Sequence, residues 1–360
     1  MGATPERDTP GVTRPPAEGE PFLPGPTFAA PYHLTGDPDG KEYTYGRFDN
    51  PTWRAYEAEL GRLEGGKAAV FASGMAAAST LLLSLLKPGD RLVLPSDAYY
   101  TVRTLARELL PFDVEEVPTE TQAFVDAAPG TRVVWVETPS NPGLDVVDIR
   151  AVAAASDATL VVDNTLPTPL GQRPLELGAD YVMASASKSL TGHSDLVLGY
   201  VAAGDVDAVK AARSKLGTIA GPFEVWLAHR SLTTLDVRVE RQCANALRLA
   251  RLIGERVPVR YPGLAADPAH EVAKGQMDSF GPVIGFTLPS EQAAERFLAE
   301  ATLVTEATSF GGTRTTAERR ARWRSDEVPE GWVRLSAGCE DPDALAGDVG
   351  QALAKALVHG

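Results

Sequence analysis

Ala184-Ser185-Ala186-Ser187-Lys188-Ser189-Leu190-Thr191-Gly192-His193-Ser194-Asp195 directly follows the apolar run Tyr181-Val182-Met183. A small, hydroxyl-rich turn after a strand lies at the strand's carboxyl end, where open α/β sheets bind ligands. Lys188 is therefore a candidate Schiff-base amine, since a lysine in a polarised, partly desolvated site becomes nucleophilic near neutral pH. The flanking hydroxyls offer donors to a phosphate. Asp163 ends a second apolar run, Thr159-Leu160-Val161-Val162. A carboxylate and a lysine on neighbouring strand ends suggest pyridoxal phosphate (PLP), with the acid on the ring nitrogen and the amine on the aldehyde. Taken singly, a lysine after a strand is a solvated surface residue and Asp-Asn-Thr is a loop. The pair gains its weight from the motifs that surround it.

Outward from this turn, apolar strands alternate with helical segments from about 68 to 220. Arg91-Leu92-Val93-Leu94, Val133-Val134-Trp135-Val136, Leu160-Val161-Val162 and Tyr181-Val182-Met183 are strand candidates. Several are continuously apolar, as parallel strands buried on both faces are. The alternation predicts an α/β architecture with helices on both sides of the sheet. Trp53, Tyr56, Leu60 and Leu63 recur at helical spacing and predict an amphipathic helix. Gly221-Pro222 breaks the chain before a long helical pattern carried by Leu232, Leu235, Val239, Cys243 and Ala246, which makes Cys243 a packing residue. From about 257 onward, strands and helices mix as in a smaller α+β domain. Asp341 before Pro342 reads as an N-cap with proline at the first helical position. Residues 1 to about 30, rich in Pro, Gly and charge, read as a tail or an arm lying on a partner subunit. The expected division is an arm over 1–52, a large α/β domain over 53–225 and a C-terminal α+β domain over 226–360.

Bulk properties exclude several classes. A 360-residue chain with 44% hydrophobic residues is globular and buries a large core. A formal net charge of −14 argues against a nucleic-acid partner, which needs a basic footprint. Cys243 and Cys339 are the only cysteines, with neither metal-type spacing nor a disulfide framework, so a reducing cytoplasm is the expected location and no metal is expected. The longest greasy stretch, Leu81-Leu82-Leu83-Ser84-Leu85-Leu86, is too short to span a bilayer, and no membrane partner is expected. Glu6 stands where a myristoylation signal wants Ser or Thr.

Further motifs bear on phosphate binding. Gly61 to Lys67 spaces like a Walker A loop, but it follows a helical segment and Ala68 replaces the magnesium-binding hydroxyl, so it is a chance match. Ser73-Gly74-Met75 opens an alanine- and leucine-rich helix, whose free amides and macrodipole attract an anion. Tyr45 and Arg47 sit in an extended segment where Arg could clamp a phosphate.

Tyr45-x-Arg47-x-x-Asn50-Pro51-Thr52, Ser73-Gly74-Met75, Glu137-Thr138-Pro139-Ser140-Asn141-Pro142, Val162-Asp163-Asn164-Thr165, Gln172-Arg173-Pro174-Leu175, Ser185-x-Ser187-Lys188, Gly192-His193-Ser194-Asp195, Ser309-Phe310-Gly311-Gly312 and Arg334-Leu335-Ser336-x-Gly338-x-Glu340-Asp341 occur in one chain. This ordered set resembles the trans-sulfuration, or Cys/Met-metabolism, family of PLP enzymes: cystathionine synthases and lyases, methionine γ-lyases and acylhomoserine sulfhydrylases. The resemblance runs from about 40 to the C-terminus. It implies the fold type I, aspartate aminotransferase-like architecture of PLP-dependent transferases. It also implies roles. Lys188 would carry the cofactor aldehyde and then move protons. Asp163 would keep the ring nitrogen protonated. Ser73, Gly74, Met75, Asn141, Thr165, Ser185 and Ser187 would hold the cofactor, with Gly74, Met75, Ser185 and Ser187 on its phosphate. Tyr45 and Arg47 would reach the phosphate of a neighbouring subunit, within a tetramer built from dimers. Tyr99 would stack on the ring and assist proton transfer to the leaving group. Asn141, Ser309 and Arg334 would bind the substrate's α-carboxylate, which a planar guanidinium suits bidentately.

Departures from the family pattern bear on the substrate. Thr101 occupies a position where methionine γ-lyases carry cysteine, which disfavours a typical methionine lyase. Thr44 and Thr308 replace glutamates that in cystathionine γ-enzymes are thought to meet the distal ammonium of cystathionine. Glu42 and Glu306 stand two residues away, a shift that should not reproduce the geometry. Arg319, Arg320, Arg322 and Arg324 read as a solvated helix face in preference to a rim steering an anionic substrate, since charge runs usually face water. The leading expectation is a PLP-dependent C–S lyase of sulfur amino acids resembling cystathionine γ-lyase. A γ-replacement synthase using an activated homoserine is the first alternative. A non-catalytic PLP-binding scaffold is an alternative of another class, and a plain aminotransferase is the least favoured.

Overall fold

Seven strands form the central sheet of the computed structural model, which describes residues 17–358. They are β1 (Lys67–Phe71), β2 (Arg91–Pro95), β3 (Asp113–Val117), β4 (Val133–Glu137), β5 (Thr159–Asp163), β6 (Tyr181–Ala184) and β7 (Gly199–Ala203). The order is β1-β7-β6-β5-β4-β2-β3. Only β7 runs against its neighbours, pairing antiparallel with both β1 and β6. The other pairings are parallel. Residues 1–16, which include much of the expected tail and the Glu6 position, lie outside the described residues, as do 359–360.

The apolar runs become strands because both faces are covered. Val133 and Trp135 point into one core with Leu81 and Leu82 of the helix Gly74–Leu85. Val134 and Val136 point into the opposite core with Phe124 and Val152, from the helices Thr121–Ala127 and Ile149–Ala155. This two-sided burial is the layered α/β arrangement expected from the alternation of elements. Parallel register then aligns the carboxyl ends: Glu137 pairs with Asp163, and Asp163 with Met183. The acid and the lysine turn after β6 thus share one rim of the sheet.

The helix Pro51–Glu64 starts as its sequence dictates. Asn50 accepts a side-chain hydrogen bond from the Trp53 amide, Pro51 takes the first position, and Trp53, Tyr56, Leu60 and Leu63 are buried. Gly65, with φ +80°, ends that helix in the left-handed conformation. The Walker-like spacing therefore spans a helix end and the start of β1, and Lys67 pairs at the surface with Asp205 at 3.2 Å.

A second sheet has the order β10-β11-β12-β9-β8. It contains β8 (Val259–Arg260), β9 (Val283–Thr287), β10 (Thr305–Glu306), β11 (Thr316–Arg319) and β12 (Trp332–Ser336). The helices Glu291–Glu300 and Pro342–Leu357 pack on it. Asp341 caps the latter by accepting from the Asp343 and Ala344 amides. One helix, Leu235–Gly254, joins both lobes. Leu235 and Val239 belong to the core under the first sheet, and Ala246, Leu249, Ala250 and Ile253 to that of the second. Cys243 packs against the first of these cores, and burial pushes its thiol up to about 11. Among the described residues no helix is long and apolar enough to cross a membrane.

Candidate active site

A cavity of about 800 Å³ opens where the carboxyl ends of β4, β5 and β6 face the second sheet. Ser73, Gly74, Met75, Tyr99, Asn141, Asp163, Thr165, Ser185, Ser187, Lys188, Ser309 and Arg334 all line it. Tyr45 and Arg47 do not. Arg47 donates to the Ser214 carbonyl at 2.9 Å and lies over the Phe48 ring, while Tyr45 is exposed.

The first wall is the start of the helix Gly74–Leu85. Ser73 Oγ accepts from the Ala76 amide at 2.9 Å, and the amides of Gly74 and Met75 lie in the first turn, where helices lack internal acceptors. Gly74 must be glycine, because a Cβ there would stand 2.9 Å from the Ser185 Cβ. Thr165 joins the walls: its Oγ accepts from the Ser185 amide at 2.8 Å, and its own amide donates to Asp163 at 3.0 Å. Ser187 Oγ exchanges hydrogen bonds with the Leu198 carbonyl and amide at 3.0 and 2.9 Å, which braces the lysine turn against β7.

The charged groups are perturbed by burial. Lys188 is pushed down to about 8, first by desolvation and then by Arg334. Near pH 7.5 roughly a quarter of such a lysine is neutral, against about a thousandth for an ordinary one. Its Nζ donates to Ser309 Oγ at 2.6 Å and stands 5.1 Å from the Phe310 ring centroid. Asp163 is raised to about 6 by desolvation. Glu137 beside it is raised well above the carboxylate range by burial and by the Asp163 charge. Glu137 also accepts from the Tyr99 amide at 2.7 Å, which fixes the entry of the tyrosine into the cavity.

Arg334 lies on the opposite wall and donates to Asn141 Oδ1 at 2.6 Å and to the Ser309 carbonyl at 3.1 Å. The three expected carboxylate ligands are thus in direct contact. Burial, then the neighbouring Arg320, lowers Arg334 to about 10. The arginine run reading needs correction. β11 ends at Arg319 and a single 3₁₀ turn, Arg320–Trp323, follows; Arg322 and Arg324 are exposed as read, but Arg320 is not part of a solvated face. Arg320 is buried, lines the cavity and pairs with Glu318 and Asp326. Register is the physical reason, since antiparallel pairing sets Glu318 opposite Arg334 and draws the following arginine inward to the shared carboxylate.

Sequence reasoning missed several supporting residues. Glu318 is fully buried and bonds Arg334, Arg320, Arg322 and the Trp323 indole N–H. Arg238 and Gln242, one turn apart on the helix Leu235–Gly254, hold the two functional loops. Arg238 donates to the Ser189 and Leu190 carbonyls at 2.8 and 3.1 Å. Gln242 donates to the Gly311 and Gly312 carbonyls at 3.2 and 2.7 Å. Their signal was a polar stripe, with Asn245, inside an otherwise amphipathic helix. Glu137 stood within a quoted motif, at the strand end level with Asp163.

Residues 27–354 match the sequence model of a family described as Cys/Met metabolism PLP-dependent enzyme. The chain belongs to this family. It is 52% identical, over 94% of its length and 90% of the relative's, to a Streptomyces coelicolor protein named "Putative cystathionine gamma-lyase". It is 37% identical to the cystathionine gamma-synthase of Mycobacterium tuberculosis, covering 86% of each chain. Among solved structures, it resembles the cystathionine gamma synthase of Xanthomonas oryzae pv. oryzae in complex with cystathionine. That match has a TM-score of 0.90 and 32% identity, covering 97% of this chain and 96% of the other. The fold is accordingly that of the fold type I PLP-dependent enzymes, and the chain is a PLP-dependent enzyme acting on small amino-acid substrates.

The cavity fits the cofactor on its own geometry. A Cβ-free approach at Gly74, unsatisfied helix-start amides and two serines form an anion cradle at one end. A buried carboxylate lies on the sheet rim and an amine of lowered pKa faces the cavity.

Proposed function

We propose that this chain is a carbon–sulfur lyase resembling cystathionine γ-lyase, performing γ-elimination on an S-substituted homocysteine, the class to which cystathionine belongs, and releasing a thiol, ammonia and a 2-oxo acid. The observation that carries this reading is the meeting of Lys188 Nζ, Ser309, Asn141 and Arg334 within hydrogen-bond reach in a cavity that Asp163 also lines. The relatives named as cystathionine gamma-lyase and gamma-synthase support it.

In this reading Arg334, oriented by Asn141 and Glu318, receives the substrate α-carboxylate and points Cα toward Lys188. Ser73, Gly74, Met75, Ser185 and Ser187 would hold the phosphate of PLP, and Asp163 its ring nitrogen. The bound cofactor supplies a sink for the electron pair left at Cα. Lys188 takes the Cα proton, and for a γ-leaving group a second proton at Cβ. Tyr99, which is exposed and lines the cavity, protonates the departing sulfur. The Cγ–S bond breaks, sulfur leaves as a thiol, and the four-carbon remainder takes up water to give 2-oxobutanoate and ammonia. Asp163 stays ionised in this role because a protonated ring nitrogen offsets the desolvation that raises it.

Tyr45 and Arg47, which do not line this chain's cavity, complete that of a second copy in a dimer, with two dimers forming a tetramer. The reading places the enzyme in the cytoplasm. The similarity to cystathionine gamma-synthases favours one alternative, γ-replacement on an activated homoserine. Purified holoenzyme supplied with cystathionine and with O-acylated homoserines, with and without added cysteine, decides between them. Thiol and 2-oxobutanoate release without a nucleophile supports the lyase. Turnover only with a thiol nucleophile supports the synthase.

A further inference from the structure

We infer that the outer wall of the cavity selects a substrate whose leaving group carries a carboxylate and lacks an ammonium, with Arg314 as the specificity-determining residue; this rests on the lyase reading above. The acids that line the cavity are Glu137 and Asp163, both on the sheet rim where the cofactor ring would lie. The opposite wall is built from Thr308, Thr313, Arg314, Thr316, Arg320 and Arg334, with no acid facing the cavity. Most of its positive charge is already matched. Arg320 pairs with Glu318 and Asp326 and Arg334 with Glu318, while Arg322, outside the lining, pairs with Glu306 and Glu318. Arg314 has no such partner among the described residues and is exposed.

Its backbone is nevertheless fixed. The Thr313 amide donates to the Gly192 carbonyl at 2.9 Å, and the Thr315 amide and hydroxyl donate to Glu340 at 2.6 and 2.7 Å. The Arg314 carbonyl carbon packs so close to Gly338 that a Cβ there would stand 2.5 Å away. A pinned main chain that presents one uncompensated guanidinium to a cavity is a site for an anion. A distal ammonium finds no counterpart among the residues of this chain on that wall. Position 308 is a threonine on this wall, and Glu306 is held by Arg322 at 2.8 Å. The α-carboxylate is already assigned to Arg334, which leaves the charge of Arg314 for a second anionic group of the substrate.

Three thioethers of similar length separate these effects: S-(2-carboxyethyl)-L-homocysteine, S-(2-aminoethyl)-L-homocysteine and S-propyl-L-homocysteine. For the holoenzyme, kcat/KM and dissociation constants from cofactor absorbance are expected to favour the carboxyethyl compound over the aminoethyl one by about tenfold or more. That preference should shrink as ionic strength rises. In Arg314→Gln the carboxyethyl-to-propyl ratio should fall to about one, whereas Arg314→Lys should retain most of it. Equal values for the carboxyethyl and aminoethyl compounds, or an unchanged ratio in Arg314→Gln, would overturn the inference while leaving the lyase intact. Binding in the expected order with no turnover of any compound would sink the lyase reading and uphold the selectivity of the wall.

Discussion

Replacing Glu318 with glutamine should disable substrate capture before it disables chemistry. Glu318 is completely buried and accepts from Arg320 at 2.8 Å, Arg322 at 3.0 Å and the Trp323 indole at 2.8 Å, besides its pair with Arg334. Burial pushes this carboxyl up, but Arg334, Trp323 and Arg320 together hold it below its usual range. Glutamine keeps the size and one acceptor, yet it removes the charge and turns an N–H₂ toward guanidinium donors. Losing two charge-assisted bonds at about 1.5–3 kcal/mol each, partly offset by Asp326 and water, gives a destabilisation of about 3 kcal/mol. Arg334 then loses the anchor that aims it. A misaimed guanidinium forfeits about 2–3 kcal/mol of carboxylate binding, which is roughly 30- to 150-fold in KM for any α-amino-acid substrate. The effect on kcat should be several times smaller, because Lys188 touches Ser309 and not Glu318. Steady-state kinetics with a denaturation curve on the same holoenzyme preparations reads both quantities, and Glu318→Asp should restore part of the KM. A Glu318→Gln enzyme with wild-type KM and wild-type stability would refute the claim that this carboxylate positions Arg334. Glu318 has its folded pKa depressed, so its stabilisation is present above the unfolded value and is lost as pH falls through the folded one.

Other perturbations follow from the same geometry. With Lys188 lowered to about 8, the rate at which the cofactor-free chain captures PLP should rise about fivefold from pH 7 to 8 and level off above pH 9, measured by stopped-flow absorbance. Asp163 has its folded pKa raised to about 6, so without cofactor its favourable protonated form is lost as pH climbs from about 4 through 6. Cofactor-free Asp163→Asn should therefore be more stable than the cofactor-free parent at pH 8, on the order of 2 kcal/mol, and the gap should close at pH 4. Gly74→Ala puts a methyl 2.9 Å from the Ser185 Cβ, and PLP affinity measured by equilibrium dialysis should drop about tenfold or more. Gln242→Leu frees the Gly311 and Gly312 carbonyls that it holds, and should cost about 2 kcal/mol in a denaturation series.

What was legible in the sequence depended on how each residue is paired. β2, β4, β5 and β6 are visible as apolar runs because their positions are largely buried between two helical layers. β3 was not, because it is a partly exposed edge strand reading Asp113-Val114-Glu115-Glu116-Val117. β1 hides behind a helix end whose glycines imitate a phosphate loop, and the alanine-rich β7 carries little hydrophobic signal. The site residues that carry a motif on one segment, such as Ser185, Ser187 and Lys188, were readable. Those defined by register were not. Glu318 lies sixteen residues before Arg334 and becomes its neighbour only through the β11–β12 pairing, while its own surroundings look like a solvated run of arginines. Arg238 and Gln242 act on loops 48–49 and 69–70 residues distant, and local periodicity carries no trace of that.

The most direct test of the whole account is borohydride reduction of the PLP-reconstituted chain, followed by peptide mapping. The account predicts a yellow protein and a single reduced pyridoxyl adduct on the Lys188 side-chain nitrogen, absent from Lys188→Ala. A colourless protein, or an adduct placed on any other lysine, would contradict it.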